Sequence, residues 1–397
     1  MKRQLYNGRH LARAAAIEDL AAMARQRLPH FAWEYLASGA EDEYTQQQNR
    51  HAFERIRLLP DTLNDVSSRS LHSELWGQPL AAPVAIGPTG FNGMLWHQAD
   101  ISLAKAAAAH GIPFCLATLS NSRMEDVAEA IRAYPQAQLW LQLYMFRDRG
   151  CTQTLLARAR AAGIRTLLLT TDAVVYGNRN WEARNYRGFK QPDLRNLLQT
   201  ATCWRWLWQV YRHGLPRFAN LDEFIGRQAD ALKAASWIES QMDTSLNWRD
   251  LGWLRQQWDG QLVLKGVMHA ADAQKAVEHG VDAIVVTNHG GRQLDGTAAS
   301  IEVLPAIADA VKHKTTILLD SGIRRGMDIL KARRLGADAV LLGRATLFGV
   351  AAGGEAGANR ALDILLHELD NGLAQLGLQN LSQLARTHIS YAGKSPR

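Results

Sequence analysis

Residues 283–295 read Ala283-Ile284-Val285-Val286-Thr287-Asn288-His289-Gly290-Gly291-Arg292-Gln293-Leu294-Asp295, an apolar run that stops at a cluster of reactive side chains. The first four residues suit a strand buried on both faces. The imidazole, paired glycines and guanidinium after them add little to a core. They suit a place where something anionic is held and deprotonated, because imidazole titrates near neutrality and a guanidinium fork matches a carboxylate.

Working outward, further apolar runs occur at 83–87, 112–116, 138–143, 166–170, 261–265, 316–320 and 338–342, and 282–287 is the sixth in order. A longer segment rich in Ala, Leu, Arg and Glu comes after each, which is the βα alternation of a parallel sheet. Residues 265–286 and 321–342 echo one another, each with a loop glycine, a helix and then Gly-x-Asp-Ala leading into a strand. The runs count out an α/β chain of the (β/α)8 TIM-barrel type.

A doubly wound sheet shares the alternation. The strand ends decide for the barrel. In order they carry Pro88-Thr89-Gly90, Thr118, Gln142 with Tyr144, Thr170 with Asp172, Lys265, His289 with Arg292, Asp320-Ser321-Gly322, and Gly343-Arg344. In a barrel all of these face one mouth, where barrel enzymes keep their active sites. Residues 1–80 are expected as a helical extension that packs on a barrel of residues 81–397, and residues 188–243, after the fourth strand, are an insertion too long for an ordinary βα loop.

Composition bounds the function. With 397 residues, 47% hydrophobic and 21% charged, the chain is neither disordered nor fibrous. Cys115, Cys151 and Cys203 form no C-x-x-C pair, which points to a reducing compartment without disulfides or structural zinc, and no metal site is expected. The basic start Met1-Lys2-Arg3 lacks the apolar core of a signal peptide, since Arg13, Glu18 and Asp19 interrupt it. A cytoplasmic location is expected, and no spanning helix. The net charge of +7 comes without a zinc-finger, RRM-like or long basic run, so nucleic acid is not an expected partner.

Chemistry can be assigned to several positions. Asp320, Gly322 and Arg324 after the seventh strand, with Gly343 and Arg344 after the eighth, combine backbone N–H groups with guanidiniums where barrels commonly hold a phosphate. Lys265 ends an apolar strand and suits a Schiff base, an anion partner, or a lysine reaching out to water. His289 is the candidate base, with Asp172 placed to favour its imidazolium. Arg292 and Arg179 suit a carboxylate clamp, with Arg184 and Arg187 competing for the place of Arg179. Tyr35 and Tyr144, taken alone, read as packing residues.

Together these motifs resemble the FMN-dependent α-hydroxy acid dehydrogenase and oxidase family over about residues 35–348, and look closest to its (S)-mandelate and L-lactate dehydrogenases. The resemblance implies FMN as cofactor and oxidation of an (S)-2-hydroxy acid to the 2-oxo acid. By matching motif, His289 is the base and Asp172 its partner, and Arg292 and Arg179 are the clamp. Tyr35 and Tyr144 are substrate tyrosines, with Tyr144 also in the catalytic group. Pro88, Thr89, Gly90, Thr118, Gln142, Thr170, Lys265 and Thr287 line the flavin, and Asp320, Gly322, Arg324, Gly343 and Arg344 form its ribityl phosphate site. Lys265 then serves as a cation that favours negative charge on the reduced flavin.

The chain departs from the family at Ala117, where relatives commonly place a serine; Thr118 is the compensating candidate. Gly90 resembles the dehydrogenases, whereas oxidases tend to carry alanine there, so a membrane quinone or another non-oxygen acceptor is expected. An oxygen-using oxidase and a non-redox flavin barrel such as an isomerase are the alternatives. Residues 64–71, 87–93 and 242–248 look mandelate-like, while the insertion looks lactate-like. That insertion contains Trp204-Arg205-Trp206-Leu207-Trp208 and Tyr211-Arg212-His213, a mixture that suits an anionic membrane surface or aromatics folded back on the barrel. A peripheral position on the inner face of the cell membrane and a homotetramer are what the resemblance implies.

Overall fold

The eight apolar runs close into a barrel: β1 (Val84–Ile86), β2 (Phe114–Ala117), β3 (Leu139–Leu143), β4 (Thr166–Thr170), β5 (Gln261–Val267), β6 (Ala283–Val286), β7 (Thr316–Leu319) and β8 (Ala339–Leu342), with β8 pairing back onto β1. The computed structural model describes residues 4–187, 191–192, 194–226, 231–311 and 313–392. All pairings in the barrel are parallel, for example Leu264 opposite Ile284 and Val340 opposite Val84.

Period-two alternation sorts each strand between two cores. Ala85, Cys115, Trp140, Leu168, Val263, Val285, Leu318 and Leu341 fill the barrel interior. Their neighbours Val84, Leu116, Leu141, Leu167, Leu264, Ile284, Ile317 and Val340 face the surrounding helices. Because both faces are buried, the strands read as unbroken apolar runs.

The first eighty residues are not helical throughout. Three helices, α1 (Ile17–Arg27), α2 (His30–Ala37) and α3 (Tyr44–Glu54), are followed by Ile56–Leu58, which pairs antiparallel with Ile389–Tyr391, and by a hairpin of Ser73–Leu75 with Gln78–Leu80. The hairpin plugs the N-terminal end of the barrel: Leu75 and Leu80 join the interior cluster, and Trp76 meets Trp140 with ring centroids 5.6 Å apart. At the opposite end α2 and α3 lie over the mouth, where Ala40 N donates to Gly291 O and the Asn49 and Asn288 amides exchange hydrogen bonds at 2.8 Å.

Between β4 and β5 the chain forms α4 (Asn180–Ala183), α5 (Leu194–Thr202), α6 (Trp204–His213) and α7 (Ala231–Gln241). Residues 188–190, 193 and 227–230 of the expected insertion lie outside the described residues. Only Trp206 of the tryptophan triplet turns inward, edge-on to Phe31 and donating to Met94 O at 2.8 Å. Trp204, 67% exposed, and Trp208, 59% exposed, stand one turn apart on the outer face. They share that face with Tyr211, which stacks on Trp208, and Leu194, Leu197 and Leu198 of α5 are exposed beside them. The last long helical segment, α8 (Arg344–Gln375), starts at the mouth directly after β8 and breaks at Gly353-Gly354, where the backbone leaves helical geometry.

Candidate active site

The strand ends open into one cavity with about 1150 Å³ of empty space, counted to its open rim. Pro88, Thr89 and Gly90 leave β1 into its wall, Gln142 and Tyr144 leave β3, and Thr170 and Lys265 come from β4 and β5. His289 and Arg292 follow β6, Asp320, Gly322 and Arg324 follow β7, and Gly343 and Arg344 follow β8; Tyr35 from α2 and Arg179 complete it. Sequence reasoning had already named each of these.

Thr118, Thr287 and Asp172 stand behind the wall. Alternation turns Ala117 toward the cavity and Thr118 away, so the Thr118 hydroxyl donates to Gln142 O at 2.6 Å and accepts from Tyr144 N at 3.1 Å. Thr287 Oγ1 donates to Asp320 Oδ2 at 2.8 Å and accepts from His289 N at 2.9 Å. Neither threonine compensates for the missing serine by facing the cavity.

Around His289 the backbone is left-handed, with φ of 58° at His289, 67° at Gly290 and 71° at Gly291. A Cβ on Gly291 would stand 2.6 Å from Gln46 N, so only glycine lets this loop press against α3. The turn aims His289 Nδ1 at Asp172 Oδ1, 2.8 Å away. With the carboxylate accepting there, Nδ1 carries the proton and Nε2 keeps a lone pair. Lys265 Nζ lies 3.4 Å from the same Nδ1 and 3.7 Å from Asp172 Oδ2. Burial pushes the imidazole below its ordinary value; Asp172 pulls it back up and Lys265 adds to the push. Burial alone would raise Asp172, but the facing His289 and Lys265 hold it below the usual carboxylate range. The arrangement leaves a neutral imidazole able to accept a proton, with the Asp172 carboxylate fixed behind it.

Arg292 Nη1 donates to Tyr35 O at 2.9 Å and Ser38 O at 2.8 Å, and its guanidinium lies over the Tyr35 ring. The Tyr35 hydroxyl donates to Gly90 O at 2.9 Å. Burial raises the pKa of both Tyr35 and Tyr144, so both phenols keep their protons. Arg179, at the start of α4, reaches the same wall, whereas Arg184 stacks on Trp181 and is absent from the cavity lining.

The remaining wall fits FMN. On its floor Gln142 Nε2 and Thr170 Oγ1 are buried with no partner among the described residues, beside the buried Lys265, as the polar edge of a flavin ring requires. At the β8 exit a Cβ on Gly343 would meet only Thr89 Cγ2, at 4.0 Å, so the protein leaves open the space in which a ligand can approach the backbone. This is also the N-terminus of α8, which favours an anion. Arg324 is the freer of the two cations there, with Nη1 on Ile323 O at 2.9 Å and burial pushing its pKa down to about 10. Arg344 spends its fork on Leu36 O, Gly290 O, Ser38 O and Gln46 Oε1. It contributes charge and ties α2 to the β6 loop.

Ser321, placed at the mouth by the sequence but given no task there, accepts from Gly290 N at 2.9 Å; sequence reasoning missed Tyr176, which lines the cavity beside Arg179. It also missed Glu182, which touches both Arg179 and Arg292. Among the described residues no group of His, Cys, Asp and Glu could hold a metal, and no helix is long and apolar enough to cross a membrane.

A family model described as FMN-dependent dehydrogenase matches residues 24–391. An L-lactate dehydrogenase of Chromohalobacter salexigens is 40% identical over 371 residues, 93% of this chain and 94% of that protein. One of Pseudomonas putida is 40% identical over 94% of this chain and 98% of its own length. Among solved structures, that of a monotopic membrane protein, (S)-mandelate dehydrogenase, superposes with a TM-score of 0.88 at 40% identity, covering 94% of this chain and 98% of that one. A mandelate oxidase with (S)-4-hydroxymandelic acid superposes with a TM-score of 0.82 at 30% identity, covering 95% and 99%.

Proposed function

The chain belongs to the FMN-dependent dehydrogenase family, and from that premise we propose that it oxidises an (S)-2-hydroxy acid, lactate-like or mandelate-like, to the 2-oxo acid. The observation that carries this reading is that His289, with Nδ1 committed to Asp172, shares one wall with Arg179, Arg292 and the Gln142–Thr170–Lys265 floor. Base, anion clamp and flavin contacts thus converge on one small volume.

The substrate carboxylate docks on Arg179 and Arg292, where bidentate guanidinium bonds fix the position of its α-carbon. Tyr35, whose proton is already given to Gly90 O, accepts toward the ligand, and Tyr144 keeps its phenolic proton to donate. Oxidation removes two electrons and two protons from the substrate, and His289 Nε2 takes one of those protons. Asp172 then stabilises the imidazolium, and Lys265 holds positive charge at the floor. Bound FMN would supply the acceptor for the two electrons and the other proton. Gln142, Thr170, Lys265, Pro88, Thr89 and Gly90 would hold its ring, Asp320 would accept from a hydroxyl of its ribityl chain, and Gly322, Arg324, Gly343 and Arg344 would hold its phosphate.

Electrons leave to a membrane quinone or another acceptor that is not oxygen. Gly90 supports this, as does the outward face of α5 and α6, where Trp204, Trp208 and Tyr211 alternate with Arg205 and Arg212 in the manner of an interfacial helix. The protein works as a homotetramer docked on the inner face of the cell membrane, with the barrel in the cytoplasm. The test is the visible spectrum of the purified protein. A yellow protein bleached by lactate or mandelate without oxygen supports the reading, and turnover of each with an artificial acceptor identifies the substrate. A yellow protein that neither acid bleaches overturns the proposed reaction.

A further inference from the structure

Two guanidiniums that converge on one buried wall repel each other, and burial together with the charge of Arg179 pushes the Arg292 pKa below its ordinary value. Something must hold them together before an anionic ligand arrives. Glu182, on the short helix α4, is placed to do this. Its Oε1 accepts from Arg292 Nη2 at 2.9 Å and from Arg179 Nη1 at 3.4 Å, although Glu182 and Arg292 are far apart in sequence. Only about a fifth or less of each side chain is exposed: 20% for Arg179, 21% for Glu182 and 15% for Arg292.

Glu182 does not line the cavity, whereas both arginines do. The carboxylate therefore grips the guanidiniums from behind instead of occupying the ligand's place. With Arg292 Nη1 committed to Tyr35 O and Ser38 O and Nη2 partly to Glu182, the rest of that fork is its Nε edge and one Nη2 proton. On Arg179, Nη1 goes to Glu182, and Nε is buried with no partner among the described residues. Each arginine thus keeps a fixed donor edge free.

We propose that Glu182 is a positioning residue for the carboxylate clamp, a built-in anion that locks Arg179 and Arg292 into the spacing a 2-hydroxy acid carboxylate needs. The inference rests on the reading that these two arginines receive the substrate carboxylate. Preorganisation of this kind improves affinity by removing the reorganisation that binding would otherwise require. An i,i+3 ion pair that served only α4 would stabilise that helix slightly and would be indifferent to what the cavity binds.

The test uses full-length, FMN-loaded protein. Binding of the 2-oxo acid product is read from the perturbation of the flavin absorbance, and chloride, which needs charge but no fork geometry, is titrated as a competitor. Glu182→Gln should weaken the 2-oxo acid about tenfold and raise KM with little change in kcat, while chloride binds no more weakly than before. Glu182→Asp, which keeps the charge on a shorter arm, should recover part of the lost affinity. The proposal is overturned if Glu182→Gln leaves product affinity unchanged, or weakens chloride and product in parallel. Arg179→Ala and Arg292→Ala serve as controls: if they too leave product affinity unchanged, it is the clamp reading that fails.

Discussion

Arginine meets aromatic rings in two regions of this molecule, to different ends. At the barrel mouth Arg292 lies over Tyr35, 5.3 Å from the ring centroid, buried and tied to two backbone carbonyls and a carboxylate. On α6 Arg205 lies over Trp204 at nearly the same 5.2 Å, yet Trp204 is 67% exposed and faces outward. The same pair of residue types is a fixed instrument in one setting and an adaptable surface in the other. Composition cannot separate them; the number of committed donors can. A guanidinium held by the protein through some of its donors presents the rest at a fixed angle and recognises geometry, whereas one free to reorient recognises charge.

Removing the chemistry at the rigid site should have the largest effect. His289→Gln is expected to lower kcat by about 10²–10⁴-fold with the flavin retained, measured by anaerobic bleaching rates. Arg292→Lys keeps the charge but loses the fork and releases Tyr35 O and Ser38 O. Hydrogen bonds to charged groups contribute about 1.5–3 kcal/mol, so kcat/KM should fall about 10–150-fold. A small loss would break the contrast between the rigid and the adaptable arginine.

The adaptable region should behave in the opposite way. Arg205→Ser with Arg212→Ser should weaken sedimentation with anionic vesicles by about 1 kcal/mol per residue, roughly fivefold each. Turnover with a soluble acceptor should stay within about twofold. The pH profile sharpens the rigid side further. Because burial holds the His289 pKa below its ordinary 6.5, kcat/KM should be flat at neutral pH and fall on the acid side through a pKa below 6.5, where the imidazole gains a proton and can no longer accept one. A limb at or above 6.5 would contradict the burial account. The smallest effect belongs to Gly90→Ala, whose Cβ would stand 3.3 Å from Leu119 Cβ and 3.4 Å from Leu119 O; a loss of about 1 kcal/mol, read from the denaturant midpoint, is expected.

The barrel was legible in the sequence because strands buried on both faces appear as unbroken apolar runs, each ending where chemistry begins. The hairpin beneath it was not. Its turn is Trp76-Gly77, with φ of 52° and 74°, and a tryptophan in the left-handed region carries none of the Asn-Gly signal of a tight hairpin. Most named site residues reached the cavity wall because they sit at strand ends, whose direction the fold dictates. Thr118 was misplaced by one step of the pleat. Glu182 escaped notice because Arg179-Asn180-Trp181-Glu182 reads as an ordinary local pair, and its decisive partner lies beyond β6. Residues whose task is to hold another side chain leave no periodic trace.

The crossing of Arg344 to α2 has a consequence for how this protein is made. Its bonds to Leu36 O and Ser38 O join the first residue of α8 to the C-terminal end of a helix synthesised some three hundred residues earlier. Contacts so distant in sequence form late. On the ribosome the roof over the mouth must therefore wait for its last ties until the final barrel strand has emerged, so the pocket is finished only when nearly the whole chain has been translated.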